Sequence, residues 1–208
     1  MASSSQRRSA AKRPARRKGP DPDRLHRAAR EFILALEAIE DADLVEASAR
    51  RMAEAWGEDI LGGYRVEPES LLDPFPAKGR SGMVLVQGIE FTSFCVHHLL
   101  PFTGRAHLAY LPGEFLTGIS KLARLVDALT RRLQIQEDLT GEMVQAMEVR
   151  LEPRGAAAVV EAEHLCMTAR GIKSRGSRVV TTAWSGLFDA HPEQRKELLD
   201  LLDLPSTD

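Results

Sequence analysis

Residues 83–112, "MVLVQGIEFTSFCVHHLLPFTGRAHLAYLP", decide how the rest of the chain reads. Apolar residues recur through "MVLVQGIEF" and again through "GRAHLAYLP", which predicts two strands joined by a short Cys-His segment. One of only two cysteines, Cys95, stands two residues before the adjacent pair His97 and His98. A Cys-x-x-His spacing lets a thiolate and an imidazole converge from one tight turn, as zinc requires. A single such pair is also what an ordinary turn can contain, so the segment needs a second observation.

Working outward, "SKLARLVDALTRRLQ" (120–134) and "LTGEMVQAMEVRL" (139–151) read as helices. The first carries Leu122, Leu125, Val126, Leu129 and Leu133 as one apolar stripe. "AAAVVEAEHLCM" (156–167) and "SRVVTTAWSGLF" (177–188) read as a second pair of strands, and "PEQRKELLDLL" (192–202) as a short closing helix. The predicted order is strand-strand-helix-helix-strand-strand. This is an α+β unit, a four-stranded antiparallel sheet with two helices on one face. Such a unit leaves one face and two edges uncovered, which oligomerisation would resolve.

Two helices are predicted ahead of it. "DPDRLHRAAREFILALEAIEDA" (21–42) places Leu25, Ala28, Phe32, Ile33, Leu36 and Ile39 at helical spacing. "SARRMAEAW" (48–56) reads as a second helix with Ser48 as N-cap and Gly57 just past its end. The Gly- and Pro-rich residues 57–81 read as a long loop or linker. The expected organisation is a disordered basic tail over 1–20, a helical region and linker over 21–81, and a catalytic unit over 82–208.

The 208 residues carry a formal net charge of −2, which hides an asymmetry. Residues 1–18 hold seven Lys/Arg and no acid, leaving 21 basic against 30 acidic residues after Lys18, a net of −9. A tail of Ser, Ala and Arg without an aromatic residue reads as a solvated extension, so no nucleic-acid partner is expected. No run approaches the length of a membrane span and no apolar h-region follows the basic start, which predicts a cytoplasmic protein. Two cysteines without a secretory signal suit a reducing compartment, where metal binding is favoured over a disulfide.

The second observation lies in "EAEHLCM", where His164 and Cys166 stand two apart and share a face if the backbone is extended. Both cysteines and three of the six histidines thus fall in two short clusters. Three ligands with two spare imidazoles suit a catalytic ion with an open position; the spacing leaves open which histidines bind. "GISKLARLV" offers Ser120, Lys121 and Arg124 in the first turns of a helix, either an anion site or a capping serine with solvated bases. In "QIQEDLT", Gln136 and Glu137 could read a purine or pterin edge or simply form an interhelix turn. Arg170, four residues beyond Cys166, could reach a ligand beside the metal or stand in a surface loop.

Together these stretches resemble the GTP cyclohydrolase I family. "CVHHLLPFTGRAHLAYLP", "GISKLARLVDALTRRLQIQEDLT", "EAEHLCMTARGI" and "VVTTAWSGLF" occur in the family's order and spacing. The resemblance runs from about Ser48 to Leu202 and is densest over 91–188. It implies the tunnelling fold, assembled as a toroidal homodecamer of two pentamers. It also implies zinc on Cys95, His98 and Cys166, with His97 and His164 transferring protons. Gln136 and Glu137 would grip the guanine edge. Ser120, Lys121, Arg124 and Arg170 would bind the triphosphate, with Arg51 reaching in from a neighbouring subunit. The implied activity converts GTP to 7,8-dihydroneopterin triphosphate and formate, the first step of folate and pterin synthesis.

Two positions and one stretch depart from the family pattern. Val96 replaces a usual glutamate, Glu54 stands where the first-helix motif has a base, and "PAKGRSG" replaces an acidic stretch before "MV". These departures motivate two other readings: a divergent paralogue that stops at the ring-opened formamide or takes a related nucleotide, and a non-catalytic nucleotide-binding homologue. A zinc nucleobase deaminase is disfavoured, because its His-x-Glu and Pro-Cys-x-x-Cys signatures are missing.

Overall fold

A helical hairpin opens the fold in this computed structural model, which describes residues 19–79 and 82–202; the basic segment 1–18 lies outside the described residues. Helix α1 (Pro22–Ala35) starts on Asp21, whose carboxylate accepts from the Arg24 N–H, with Pro22 in the first turn. Helix α2 (Ala42–Glu54) starts on Asp41, which accepts from the N–H groups of Asp43 and Leu44. A carboxylate that satisfies two orphan donors sets the cap seven residues before the expected one, and Ser48 is mid-helix rather than a cap. Ala29 and Ile33 pack on Val45 and Ala49. Phe32 and Leu36, expected on that stripe, are 56% and 57% exposed, because α2 covers the other side of α1. Beyond Glu54 the chain does not stop at Gly57 but continues as a π-helical turn, Ala55–Ile60. Trp56 in that turn lies 5.2 Å from the Phe94 ring.

The expected linker is packed rather than free. Two 3-10 turns, Gly62–Arg65 and Pro68–Leu71, lead to strand β1 (Pro74–Pro76). The Arg132 guanidinium donates to the carbonyls of Gly63 and Val66, and Arg131 Nε to that of Asp59. Leu72 is fully buried in the main core.

The sheet unit then runs in the predicted order. It comprises β2 (Val84–Cys95), β3 (Pro101–Leu111), β4 (Phe115–Thr117), α3 (Ile119–Thr130), β5 (Leu133–Gln134) and α4 (Gln136–Leu151). After these come β6 (Gly155–His164), α5 (Leu165–Thr168), β7 (Val179–Trp184), α6 (Leu187–Ala190) and α7 (Pro192–Leu202). Strands β2, β3, β6 and β7 form the antiparallel sheet, and β5 adds a two-residue parallel strand on β2, giving the order β5-β2-β3-β6-β7. Because α3 ends at Thr130, Leu133 belongs to β5 and leaves the helical stripe. Strands β1 and β4 pair as a separate ribbon.

Helices α3 and α4 cover one face of the sheet. Leu122, Leu125 and Leu129 with Leu139, Met143 and Met147 pack on Phe102, Leu108 and Tyr110, all essentially inaccessible to solvent. Truncating one of these large aliphatic side chains to alanine should cost about 2–5 kcal/mol. The second face, expected bare, is covered at one end by α6 and α7, whose Phe188 and Leu198 bury Ala109, Leu111 and Ala157. The rest of that face is a charged groove of about 610 Å³ lined by Glu90, Arg105, Glu161 and Arg178 among others. A bulge shifts the β2–β3 register between Val86 and Ile89. Within it Gly88 has φ +72°, and its N–H donates to His107 Nδ1 at 3.3 Å. Among the described residues no helix is long and apolar enough to cross a membrane.

Candidate active site and metal centre

The antiparallel register brings the end of β2, the start of β3 and the end of β6 to one end of the sheet: Phe94 pairs with Pro101, and Phe102 with His164. The turn after β2 is tight. Cys95 N donates to Leu100 O at 3.0 Å and Leu99 N to Cys95 O at 2.9 Å, with Leu99 at φ +53°. At the other segment β6 stops at His164, and the one-turn helix α5 carries Cys166. His164 and Cys166 are therefore not neighbours on one extended face, as the spacing suggested; the helical turn supplies the convergence. Cys95, His98 and Cys166 bring their ligand atoms within 4.8 Å of one another.

This donor set fits a zinc ion. Two sulfurs and one imidazole nitrogen match its preferred ligands, and three protein ligands leave a fourth position open. Both cysteines are free thiols. Burial and the adjacent Cys95 sulfur push the Cys166 thiol pKa up, a strain that a bound cation would relieve. Arg170, exposed in the following loop, acts weakly on Cys166 in the opposite direction.

Two further imidazoles flank the group. His97 Nδ1 lies 3.6 Å from Cys95 Sγ. The His164 ring stacks on Phe102, centroids 4.4 Å apart and planes 2° from parallel, as their cross-strand pairing dictates. Burial lowers the His164 pKa, opposed by the charge of Glu137. Glu137 is exposed in the first turn of α4, beside Gln136. Gln136 is only 2% exposed, and both ends of its amide are engaged inside the chain. Its Nε2 donates toward Val160 O, Val179 O and Thr181 Oγ1 at 3.0–3.2 Å, and its Oε1 lies 2.7 Å from His164 Nε2.

The anion-binding candidates are elsewhere. Ser120, Lys121 and Arg124 occupy the first turns of α3, with Ser120 and Arg124 exposed. Ser120 does not cap the helix; Gly118 holds the N-cap position. Lys121 Nζ is paired with Asp73 at 2.5 Å, which holds the Asp73 carboxyl below its usual value, with Arg150 and Arg124 adding to the effect. Arg150 is in the last turn of α4, whereas Gln136 is its first residue, so the two groups lie about 20 Å apart along that helix. Arg51 and Glu54 are exposed on α2, in the helical hairpin. Within one chain, then, Gln136 joins the sulfur and imidazole group through His164, and the α3 cluster stands apart from it.

Sequence reasoning did not find Phe102, Thr140, Thr181 or Asp73. The threonines of "VVTTAW" are ordinary strand residues by pattern, and no spacing links Thr181 to Gln136; only the β6–β7 pairing does. Asp73 sits in a Pro-rich stretch whose packing against α3 has no local signature.

Comparison with known proteins gives a consistent result. The family model described as GTP cyclohydrolase I matches residues 25–203. GTP cyclohydrolase 1 of Thermobifida fusca is 44% identical over 186 residues, covering 88% of this chain and 89% of the relative. The enzyme of that name from Streptococcus agalactiae is 38% identical over 184 residues, covering 88% and 98%. That from Deinococcus radiodurans is 41% identical over 183 residues, covering 86% and 84%. Among solved structures, the apo archaeosine synthase QueF-Like is 18% identical at a TM-score of 0.44, covering 52% of this chain and 97% of its own. A match across nearly the whole chain, on relatives of similar length and with the ligand group assembled, means that the chain belongs to the GTP cyclohydrolase I family.

Proposed function

We propose that the protein is a zinc-dependent GTP cyclohydrolase I, converting GTP to 7,8-dihydroneopterin triphosphate and formate in the cytoplasm, at the start of folate and pterin synthesis. The observation that carries this reading is the convergence of Cys95, His98 and Cys166 beside the stacked His164 ring. Cys95, His98 and Cys166 would hold a zinc ion, which when bound would supply Lewis-acid activation of water at neutral pH. The other steps fall to the chain's own groups. Glu137, exposed at the α4 N-terminus, accepts the N–H donors of the guanine edge. His164 and His97 move protons at the imidazole ring of the purine and at the ribose, where ring opening and reclosure each need one. Arg170, exposed in the loop after Cys166, meets the phosphates of a nucleotide lying across the centre.

Ser120, Lys121 and Arg124, with Arg51, complete triphosphate binding from neighbouring copies in a ring-shaped homo-oligomer, a decamer of two pentamers. Support for this comes from the roughly 20 Å between the two groups in one chain and from the uncovered sheet edges and half-open second face.

Product analysis with GTP tests the proposal. Formate and dihydroneopterin triphosphate in equal amounts are expected. A formamide that accumulates, ring-opened but not hydrolysed, would instead identify an early-stopping paralogue. Binding of GTP with no product would identify a non-catalytic homologue.

A further inference from the structure

Gln136 is where the family resemblance and the geometry part. The resemblance sets it on the guanine edge, yet its amide is enclosed and every polar atom of it already has a partner. The orientation of that amide is not arbitrary. Val160 O and Val179 O are carbonyl oxygens and can only accept, so the group facing them at 3.1 and 3.0 Å must be the NH₂. Thr181 fits the same direction. The Thr140 hydroxyl donates to Gln136 O at 2.7 Å, so in the 2.6 Å contact between Thr140 and Thr181 the Thr181 hydroxyl is the donor. Thr181 Oγ1 is then left to accept from Gln136 Nε2 at 3.2 Å, sharing one of its two hydrogens with a carbonyl.

With the NH₂ group fixed, Gln136 Oε1 faces His164 Nε2 at 2.7 Å, and a carbonyl oxygen there requires Nε2 to carry the proton. Nδ1 is left as the ring's lone-pair nitrogen, without a hydrogen-bond partner among the described residues. Phe102, stacked on the ring, fixes its plane.

We propose that Gln136 is a positioning residue, which through the relay from Thr140 and Thr181 locks His164 in the Nε2–H tautomer and presents Nδ1 to the substrate. The purine edge is then read by Glu137 without the Gln136 side chain. The proposal rests on the reading of His164 as a proton-transfer group, but the tautomer itself can be observed whether or not the protein turns over GTP.

The test uses the full-length, zinc-loaded protein with its histidine nitrogens isotopically labelled. Solid-state NMR at mildly alkaline pH reads which His164 nitrogen is protonated, with a His164→Gln sample identifying the resonance. The expected spectrum has a protonated Nε2 and a bare Nδ1 in the wild type, and a mixture of tautomers in Gln136→Met. Kinetically, Gln136→Met should lower kcat by about 10–100-fold while leaving the KM for GTP within about twofold and zinc content unchanged. Thr181→Val should give a smaller loss in kcat, restored by Thr181→Ser. A wild-type spectrum with the proton on Nδ1 overturns the proposal. So does a Gln136→Met protein with raised KM and preserved kcat, the signature of a purine-edge contact. If Gln136→Met does not fold, the wild-type spectrum and the Thr181 pair decide. Absence of GTP turnover in the wild type would refute the proposed function, and the tautomer measurement would still decide this one.

Discussion

At Cys166 the fold sets a second sulfur close to Cys95 without joining them, and the thiol responds by holding its proton more tightly. Protons therefore compete with a metal ion for this centre, and the competition strengthens as pH falls. Metal content measured after dialysis should drop on acidification, as protons displace the ion from Cys166 and its neighbours. Cys95→Ser or Cys166→Ser should lower zinc content at neutral pH, and full occupancy in both would dismiss the ligand assignment. His164 stands outside the ligand group, so His164→Ala should keep its zinc and lose rate by roughly 10²–10⁴-fold, the range of a general acid or base. Zinc loss from that variant would instead make His164 a ligand.

Among the elements, β2 shows how one residue shapes a strand. Gly88 adopts φ +72° with open space around its Cα, so a methyl group there meets backbone strain rather than a neighbour. Gly88→Ala should destabilise the fold by about 1–2 kcal/mol, read from denaturant midpoints. The bulge is also tied to His107, whose Nδ1 accepts the Gly88 N–H and whose Nε2 lies 4.0 Å from Glu161. Burial, helped by Arg105 and opposed by Glu161, lowers the His107 pKa below its ordinary 6.5. The unfolded chain thus takes up the proton first, so this contribution to stability is whole above pH 6.5 and shrinks as pH falls toward the folded pKa. Stability of the wild type should fall more between mildly alkaline and mildly acidic pH than that of His107→Phe; equal slopes would exclude His107. Such details explain what was legible in the sequence. Period-two and helical patterns are local, so the order of strands and helices could be read directly, and α7 matches its expected span. The start of α2 could not, because Asp41 outcompetes Ser48 as a cap only through its own turn geometry. The outward face of α1 was misjudged because periodicity finds a stripe but not its partner. Cys95 and Cys166 were legible as candidate ligands, whereas their meeting depends on α5, a single helical turn hidden in an apparent strand.

For the whole molecule, the decisive feature is the direction of α3. It returns antiparallel to β3: Tyr110 near the end of β3 hydrogen-bonds Thr117 just before the helix, and Leu133 just after it pairs with Phe94 beside Cys95. The helix N-terminus with Ser120 and Lys121 is thus at the far end of the sheet from the metal centre, about 20 Å away by the rise of α3 and α4. A gap of that size suits the proposed shared site, in which the triphosphate meets Lys121 of one copy and the guanine the Cys95 group of another. In a closed ring each copy would give its metal end to one site and its α3 end to the next. This has a consequence that a self-contained active site does not share. Cys95→Ser and Lys121→Ala should each be nearly inactive alone, for opposite reasons. If the two proteins are dissociated, mixed in equal amounts and reassembled at random, about a quarter of the sites should combine an intact metal end with an intact α3 end. Activity should therefore rise to about a quarter of that of wild-type protein taken through the same treatment, with assembly size checked by light scattering. A reassembled mixture as inactive as its components would mean that each chain builds its own site.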